Sequence, residues 1–129
     1  MILAPKIDEF WLKVAPLIEQ IRVDQSQPWQ LADVYSALLA KLAFLYASDD
    51  GESFAIVKPK VDRFSGENVL FVWLAGGMNG KRSENTEMLM ELARGIGATR
   101  LEMESTRRGF ERTGWDIKHV TYSMNVTEA

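Results

Sequence analysis

The segment of this sequence best suited to chemistry is a short glycine-containing loop that directly follows a long apolar run. Val69 to Ala75 is apolar throughout, and Gly76 to Arg82 (GGMNGKR) contains three glycines and two cations. A helical pattern begins at about Ser83, so the amides before it would lack partners and could bind a phosphate, helped by the helix dipole. The residues predicted to hold such a phosphate are Gly77, Asn79, Gly80, Lys81 and Arg82.

Two interpretations of this loop remain open. Lys81 and Arg82 would attract a phosphate, whereas Glu84 and Glu87 in the first helical turn would oppose it. A glycine pattern alone is weak evidence for a ligand. The loop is therefore either a phosphate cradle or a strand-to-helix connection whose glycines serve only its geometry.

Few side chains are candidates for proton transfer. Glu102 and Glu104 alternate with apolar residues on a predicted strand and could act as a base, although carboxylates in this pattern are commonly solvated. Tyr122, on a predicted last strand, could supply a proton. The single histidine, His119, has no histidine or cysteine companion, so the sequence predicts neither a metal site nor Ser-His-Asp catalysis.

One local group of cations could meet nucleic-acid phosphates. Glu102, Glu104 and Glu111 interleave with it, which favours a solvated, ion-paired surface and makes nucleic-acid binding the weaker alternative. The cations of this group are Arg100, Arg107, Arg108, Arg112 and Lys118.

The composition indicates the class of protein. With 129 residues, 47% of them hydrophobic, and a net charge of -3, the sequence predicts one soluble globular domain over residues 1–129. It contains no cysteine, which suits a reducing compartment. No apolar run approaches the roughly 20 residues of a membrane-spanning helix. We therefore expect a cytoplasmic protein with no membrane partner.

Two amphipathic helices are predicted over about residues 6–42. Apolar residues recur at helical spacing from Ile7 to Ile21, where Pro16 predicts a kink or two short helices. Asp24 to Gln27 is a predicted loop, and Pro28 would open the second helix, whose apolar stripe would extend to Leu42.

The sheet-containing part is predicted over about residues 43–126. Ala43 to Ala47, Phe54 to Lys60 and Val69 to Ala75 are strand-like runs separated by polar turns, which predicts an antiparallel meander. Pro59 cannot donate a ladder hydrogen bond, so a bulge or an unpaired edge is expected there.

After the meander, the pattern predicts a strand-helix-strand crossover. A helix from Ser83 ends at Gly97, and Arg100 to Glu104 is the next strand. A short helix over 105–113 and a last strand from Ile117 to Val126 complete the chain. The predicted fold class is α/β (mixed α+β): a mixed sheet flanked by helices.

This order of elements resembles the GNAT acyltransferase fold, over about residues 30–126. The loop from Ala75 to Arg82 stands where that family cradles the pyrophosphate of acyl-coenzyme A. Gly109 to Trp115 (GFERTGW) resembles the family's aromatic-Tyr-Glu-Lys-Leu-Gly-Phe segment. A resemblance to small GNAT-like proteins of tailed phages or prophages lies in Asp33, Val34, Tyr35, Leu38, Leu39, Leu45, Asp49 and Asp50.

The resemblance implies an N-acyltransferase that uses acetyl-coenzyme A or another acyl-coenzyme A, held by the loop before Ser83. Two departures from the family pattern suggest instead a degenerate relative that has lost catalysis. The usual Arg or Gln followed by Gly-x-Gly is missing, and the family's general-acid tyrosine corresponds to Phe110.

A second hypothesis is a non-catalytic interaction protein on the same scaffold, involved in phage morphogenesis or associated with the virion. Its partner would be a phage structural or assembly component, or a second copy of the chain. An exposed apolar surface including Trp11, Trp29 or Trp115 would support it.

Overall fold

A five-stranded mixed sheet with helices packed on both faces is the framework of the chain. The computed structural model describes residues 2–3, 7–47, 53–76, 82–104, 115–117 and 124–126. In chain order, the elements are β1 (Ile2–Leu3), α1 (Ile7–Asp24), α2 (Leu31–Leu39), β2 (Phe44–Ala47), β3 (Phe54–Val61), β4 (Asn68–Gly76), α3 (Arg82–Gly95) and β5 (Arg100–Met103). The strands lie in the order β1-β2-β3-β4-β5. Among the strands of the described residues, only β4 and β5 pair in parallel, which confirms the predicted meander and crossover.

The meander contains a stretch of β3 that has no partner in β2, and a β-bulge in β4. The ladder between β2 and β3 ends at the pair Phe44 and Val57, so Pro59 lies where β3 pairs only with β4. The predicted unpaired edge at Pro59 is therefore confirmed. The register shift lies elsewhere: Ile56 is opposite Leu74 while Val57 is opposite Val72. Trp73 is consequently the extra residue of a β-bulge in β4.

Helix α1 continues through Pro16, so the prediction of two short helices is wrong. Proline removes the hydrogen bond that would reach the carbonyl of Leu12. Both residues lie on the outer side of the helix, where Leu12 is 80% exposed, so water can satisfy that carbonyl. Val14 and Ile18 on the opposite side are fully buried, and this packing holds the helix together.

Helix α2 starts later and ends earlier than the sequence predicts. Pro28 precedes the helix, which begins after Gln30. The backbone of Gln30 is extended, and its N–H donates to Oδ2 of Asp33, with 2.7 Å between the nitrogen and the oxygen. Lys41 adopts a positive φ of 59° beyond the helix end. Leu42 is therefore turned outward and 68% exposed, so its predicted place in the apolar stripe is wrong.

The two ends of the chain also depart from the prediction. Strand β1 was not predicted, because two residues are too few to show a strand pattern; it pairs Ile2 with Ala47 and Leu3 with Tyr46. Of the predicted last strand, Ile117 and residues 124–126 lie outside any strand, and residues 118–123 lie outside the described residues. Helix α3 begins at Arg82, one residue before Ser83, where the sequence predicts its start.

Two apolar clusters form on opposite faces of the sheet, so β4 is covered on both sides. Leu74 joins the cluster under α1 and α2, whereas Leu70 and Val72 join the cluster under α3. The uninterrupted apolar run of β4 follows from this double burial. Among the described residues, no helix is long and apolar enough to cross a membrane.

Candidate functional site

The candidate site lies where the parallel pairing of β4 and β5 stops. The ladder runs from Val69 opposite Arg100 to Val72 opposite Met103. Strand β4 continues beyond it through Trp73–Gly76, a segment called here the β4 extension. Among the described residues the β4 extension has no partner on its β5 side. Ligands of open α/β sheets commonly bind outside the carboxyl ends of parallel strands, which is the position of this segment.

The predicted phosphate loop connects the β4 extension to α3. Gly77, Asn79, Gly80 and Lys81 lie outside the described residues, and Arg82 is the first residue of α3. The loop is thus bounded by the end of an interior strand and the start of a helix, as the sequence predicts. Its individual phosphate contacts remain a prediction.

Gly76, at the end of the β4 extension, has a packing role. A Cβ atom placed there would lie 2.8 Å from Cε1 of Phe54 and 3.2 Å from Cδ1 of Ile21. Phe54 is fully buried, so its ring has little room to move. For this glycine, the requirement for a small residue comes from the contact between β4, β3 and α1.

The bulge residue Trp73 brings together side chains from three parts of the fold. The Nζ atom of Lys58, on β3, lies 3.7 Å from the centroid of the Trp73 ring, in cation-π geometry. Trp29, in the connection between α1 and α2, meets Trp73 edge to face, with 6.0 Å between ring centroids and an interplanar angle of 71°. Two tryptophan rings and one ammonium group therefore meet at the start of the β4 extension.

Glu102 is held in an ion pair and is not a solvated strand carboxylate. Its Oε1 atom lies 3.2 Å from Nζ of Lys60, and its side chain is only 14% exposed. Lys60 also lies 5.0 Å from the ring centroid of Phe71, which stands opposite Glu102 in the β4–β5 ladder. The expectation of a solvated carboxylate is therefore wrong for Glu102, because β5 places it beside a lysine two strands away.

The other proton-transfer candidates are not brought to Glu102 by the described residues. Glu104 follows β5 and is exposed. Tyr122 lies outside the described residues, as do His119 and Phe110, the residue at the place of the family's tyrosine. Within the described part of the chain, no group of three or more His, Cys, Asp or Glu side chains could hold a metal ion.

The predicted cation group and tryptophan surface are described only in part. Arg100 donates from Nε to Oε2 of Glu67 at 3.2 Å, and the other four cations lie outside the described residues.

Trp11 and Trp29 pack against the core cluster under α1 and α2, and Trp115 is partly buried. Trp11 and Trp29 are thus core-edge residues, not an exposed apolar surface.

Sequence reasoning missed Lys58 and Trp73 as site residues and considered Trp29 only as part of an exposed apolar surface. The apolar run and the hairpin pattern could have placed Lys58 and Trp73 on paired strands. The bulge that turns Trp73 toward Lys58 has no signal in the sequence, and neither does the approach of Trp29 from the helical connection.

Comparison with known proteins was informative only at the level of structure. No protein-family model matches the sequence, and no curated protein matches it significantly. A putative acetyl transferase from Pyrococcus furiosus superimposes with a TM-score of 0.68 at 11% identity, covering 93% of this chain and 96% of its own. The ribosomal-protein-alanine N-acetyltransferase from Brucella melitensis biovar Abortus 2308 gives 0.62 at 15% identity, covering 89% and 91%.

A GNAT family acetyltransferase from Staphylococcus aureus subsp. aureus USA300_TCH1516 is also similar in structure. Its TM-score is 0.52 at 11% identity, with 88% of this chain and 92% of that chain covered. Sequence identities this low show the fold alone. The mixed sheet, its meander and its parallel crossover, together with these similarities, show that this chain has the GNAT fold.

Proposed function

We propose that the chain binds acetyl-coenzyme A or another acyl-coenzyme A at the β4 extension and transfers the acyl group to an amine. The observation that carries this proposal is the β4 extension itself. It has no partner on its β5 side among the described residues and runs into the glycine loop that opens α3.

The chemistry of the cofactor suits these residues. The pantetheine arm of coenzyme A contains amide groups, and an unpaired strand edge offers both N–H donors and C=O acceptors for them. The pyrophosphate would then lie at the amides of Gly77, Asn79 and Gly80, with Lys81 and Arg82 supplying positive charge. Helix N-termini bind anions in this way because their first amides lack helical partners.

The bound cofactor would supply an activated acyl group as a thioester. Attack by an amine on that thioester would form a C–N bond and break the C–S bond, and the proton lost by the amine would balance the one gained by the departing thiolate. Glu102 is the base candidate that lies on the strand adjoining the site. Glu104 and Tyr122 remain sequence-based candidates for proton transfer.

The test is calorimetric titration of the full chain with acetyl-coenzyme A, combined with thermal unfolding at about 1 mM ligand. Binding should raise the unfolding temperature, because a ligand that binds only the folded state stabilises it by mass action. The double substitution Lys81→Ala and Arg82→Ala should weaken binding roughly tenfold or more, by loss of charge-assisted contacts. Lys13→Ala, a lysine on the outer side of α1, is the matched control. Absence of both heat and thermal shift would refute cofactor binding.

A second candidate is a cofactor-binding relative without catalysis. It is favoured by the ion pair of Glu102 with Lys60, which engages the carboxylate, and by Phe110 at the place of the expected tyrosine. Release of free thiol from acetyl-coenzyme A in the presence of an amine separates the two candidates. Binding without amine-dependent thiol release would favour the second.

A further inference from the structure

Lys58 differs from the neighbouring lysine on the same face of β3. Lys60 forms an ion pair with Glu102, whereas the ammonium of Lys58 has no carboxylate within ion-pair distance among the described residues. Its contact there is the ring of Trp73, 3.7 Å from Nζ to the centroid. The residue is half-buried. An ammonium group that is held over a ring, and that has no carboxylate partner among the described residues, can still accept an anion in a charge-assisted contact.

The surroundings of Lys58 specify what kind of anion would fit. Trp73 is the bulge residue at the start of the β4 extension, and the Trp29 ring, from the α1–α2 connection, makes an edge-to-face contact with it. Flat aromatic walls next to an ammonium group favour a carboxylate carried on an apolar or aromatic body. Both tryptophans pack on the core cluster under α1 and α2, so the walls are rigidly supported.

We infer that Lys58, Trp73 and Trp29 form the acceptor subsite, and that the acceptor is an amine bearing a carboxylate and an apolar side chain, the chemistry of an apolar amino acid. This inference rests on the proposed acyl transfer at the β4 extension. Lys58 binds the carboxylate, the rings hold the apolar side chain, and the amine lies toward the β4 extension, where the thioester would be bound. Lys58 is thus a specificity-determining residue.

Binding is tested with two probes of equal size that differ in charge, phenylacetate and phenylacetamide. Their titration into isotope-labelled protein is followed at the indole N–H signals of Trp29 and Trp73. Phenylacetate should bind roughly tenfold more tightly, because only it brings a negative charge to the ammonium group of Lys58. Lys58→Met should abolish the difference, and Lys58→Arg should retain it.

Lys13→Met is the matched control, since Nζ of Lys13 also lies over an aromatic ring, 5.9 Å from the centroid of Phe10. This variant should discriminate between the probes as the wild type does. Equal binding of both probes to the wild type would overturn the inference. It would also be overturned if Lys58→Met lowered the unfolding temperature but kept the discrimination, since Lys58 would then serve packing alone.

The kinetic experiment compares L-phenylalanine with L-phenylalaninamide as acceptors of the acetyl group. Lys58→Met should raise KM for phenylalanine at least several-fold, with little change in kcat or in the affinity for acetyl-coenzyme A. If acetyl-coenzyme A fails to bind while phenylacetate is still preferred, the proposed function fails and the anion subsite stands. If acetyl-coenzyme A binds and neither carboxylate is preferred, the subsite fails and cofactor binding stands.

Discussion

Gly76 and Phe54 approach each other so closely that a side chain on Gly76 is excluded. A Cβ atom at position 76 would lie 2.8 Å from Cε1 of the buried Phe54 ring. Gly76→Ala should therefore lower the free energy of unfolding by about 1–3 kcal/mol, the usual range for overpacking a core. Urea denaturation followed by circular dichroism measures this change.

Gly95→Ala is the matched control, at the last residue of α3. A Cβ atom at Gly95 would have no atom within 4 Å. The substitution should leave stability unchanged or raise it by about 0.5–1 kcal/mol, because alanine favours the helix. If both variants were equally destabilised, the contact with Phe54 would not be the reason for glycine at position 76.

The ion pair between Lys60 and Glu102 should contribute little to stability despite its position across β4. Lys60 is 51% exposed, so water solvates its ammonium whether or not the carboxylate is present. A double-mutant cycle with Lys60→Met and Glu102→Gln should give a coupling energy of about 0.2–1 kcal/mol. A coupling energy above about 2 kcal/mol would contradict this prediction, because it would mean that the pair is shielded from water although half of the Lys60 side chain is exposed.

The turn between β3 and β4 should depend on Asp62 and not on the aromatic residue at its tip. Oδ1 of Asp62 accepts hydrogen bonds from the N–H groups of Phe64 and Ser65, at 2.9 Å and 3.0 Å. Asp62→Ala removes both and should cost about 1–2 kcal/mol in unfolding free energy. Phe64 is 99% exposed, so Phe64→Ser should change stability by less than about 0.5 kcal/mol. A reversed order of these effects would contradict the assigned hydrogen bonds.

The framework of the sheet could be predicted because its determinants are local. The polar turn from Asp62 to Glu67 and the unbroken apolar run of β4 each indicate their structure without reference to distant residues. The start of α2 was misplaced because Pro28 is a stronger signal in sequence than the cap formed by Gln30 and Asp33. Strand β1 is specified only by its pairing with β2, which is a tertiary contact.

The candidate site could be predicted only in part, because its contacts join residues far apart in sequence. The position of the glycine loop follows from strand-to-helix order. The partner of Glu102 is Lys60, which only the β3-β4-β5 order brings near it. The meeting of Lys58, Trp73 and Trp29 depends on a one-residue bulge, which shifts the side chains of β4 relative to β3 without any change in its apolar pattern.

The contact between α1 and α2 should make stability depend on pH in the alkaline range. The hydroxyl of Tyr35 donates to Oδ1 of Asp8 at 2.7 Å, and the Tyr35 ring lies 4.9 Å from that of Trp11, centroid to centroid. This hydrogen bond, with smaller contributions from burial and from the Asp8 charge, raises the pKa of Tyr35 above its ordinary value. The folded state therefore favours the protonated phenol more than the unfolded state does.

Because the pKa of Tyr35 is higher in the folded state than in the unfolded state, its hydrogen bond stabilises the protein fully at any pH below the pKa of the unfolded state. This stabilisation is lost as the pH rises through the pKa of the folded state. The advantage of the wild type over Tyr35→Phe in unfolding free energy should thus be constant near neutral pH and shrink in alkaline solution. Asp8→Asn removes the carboxylate charge and should lower the pKa of Tyr35, measured by tyrosinate absorbance. An advantage that grew with rising pH would show that Tyr35 is not the donor in this contact.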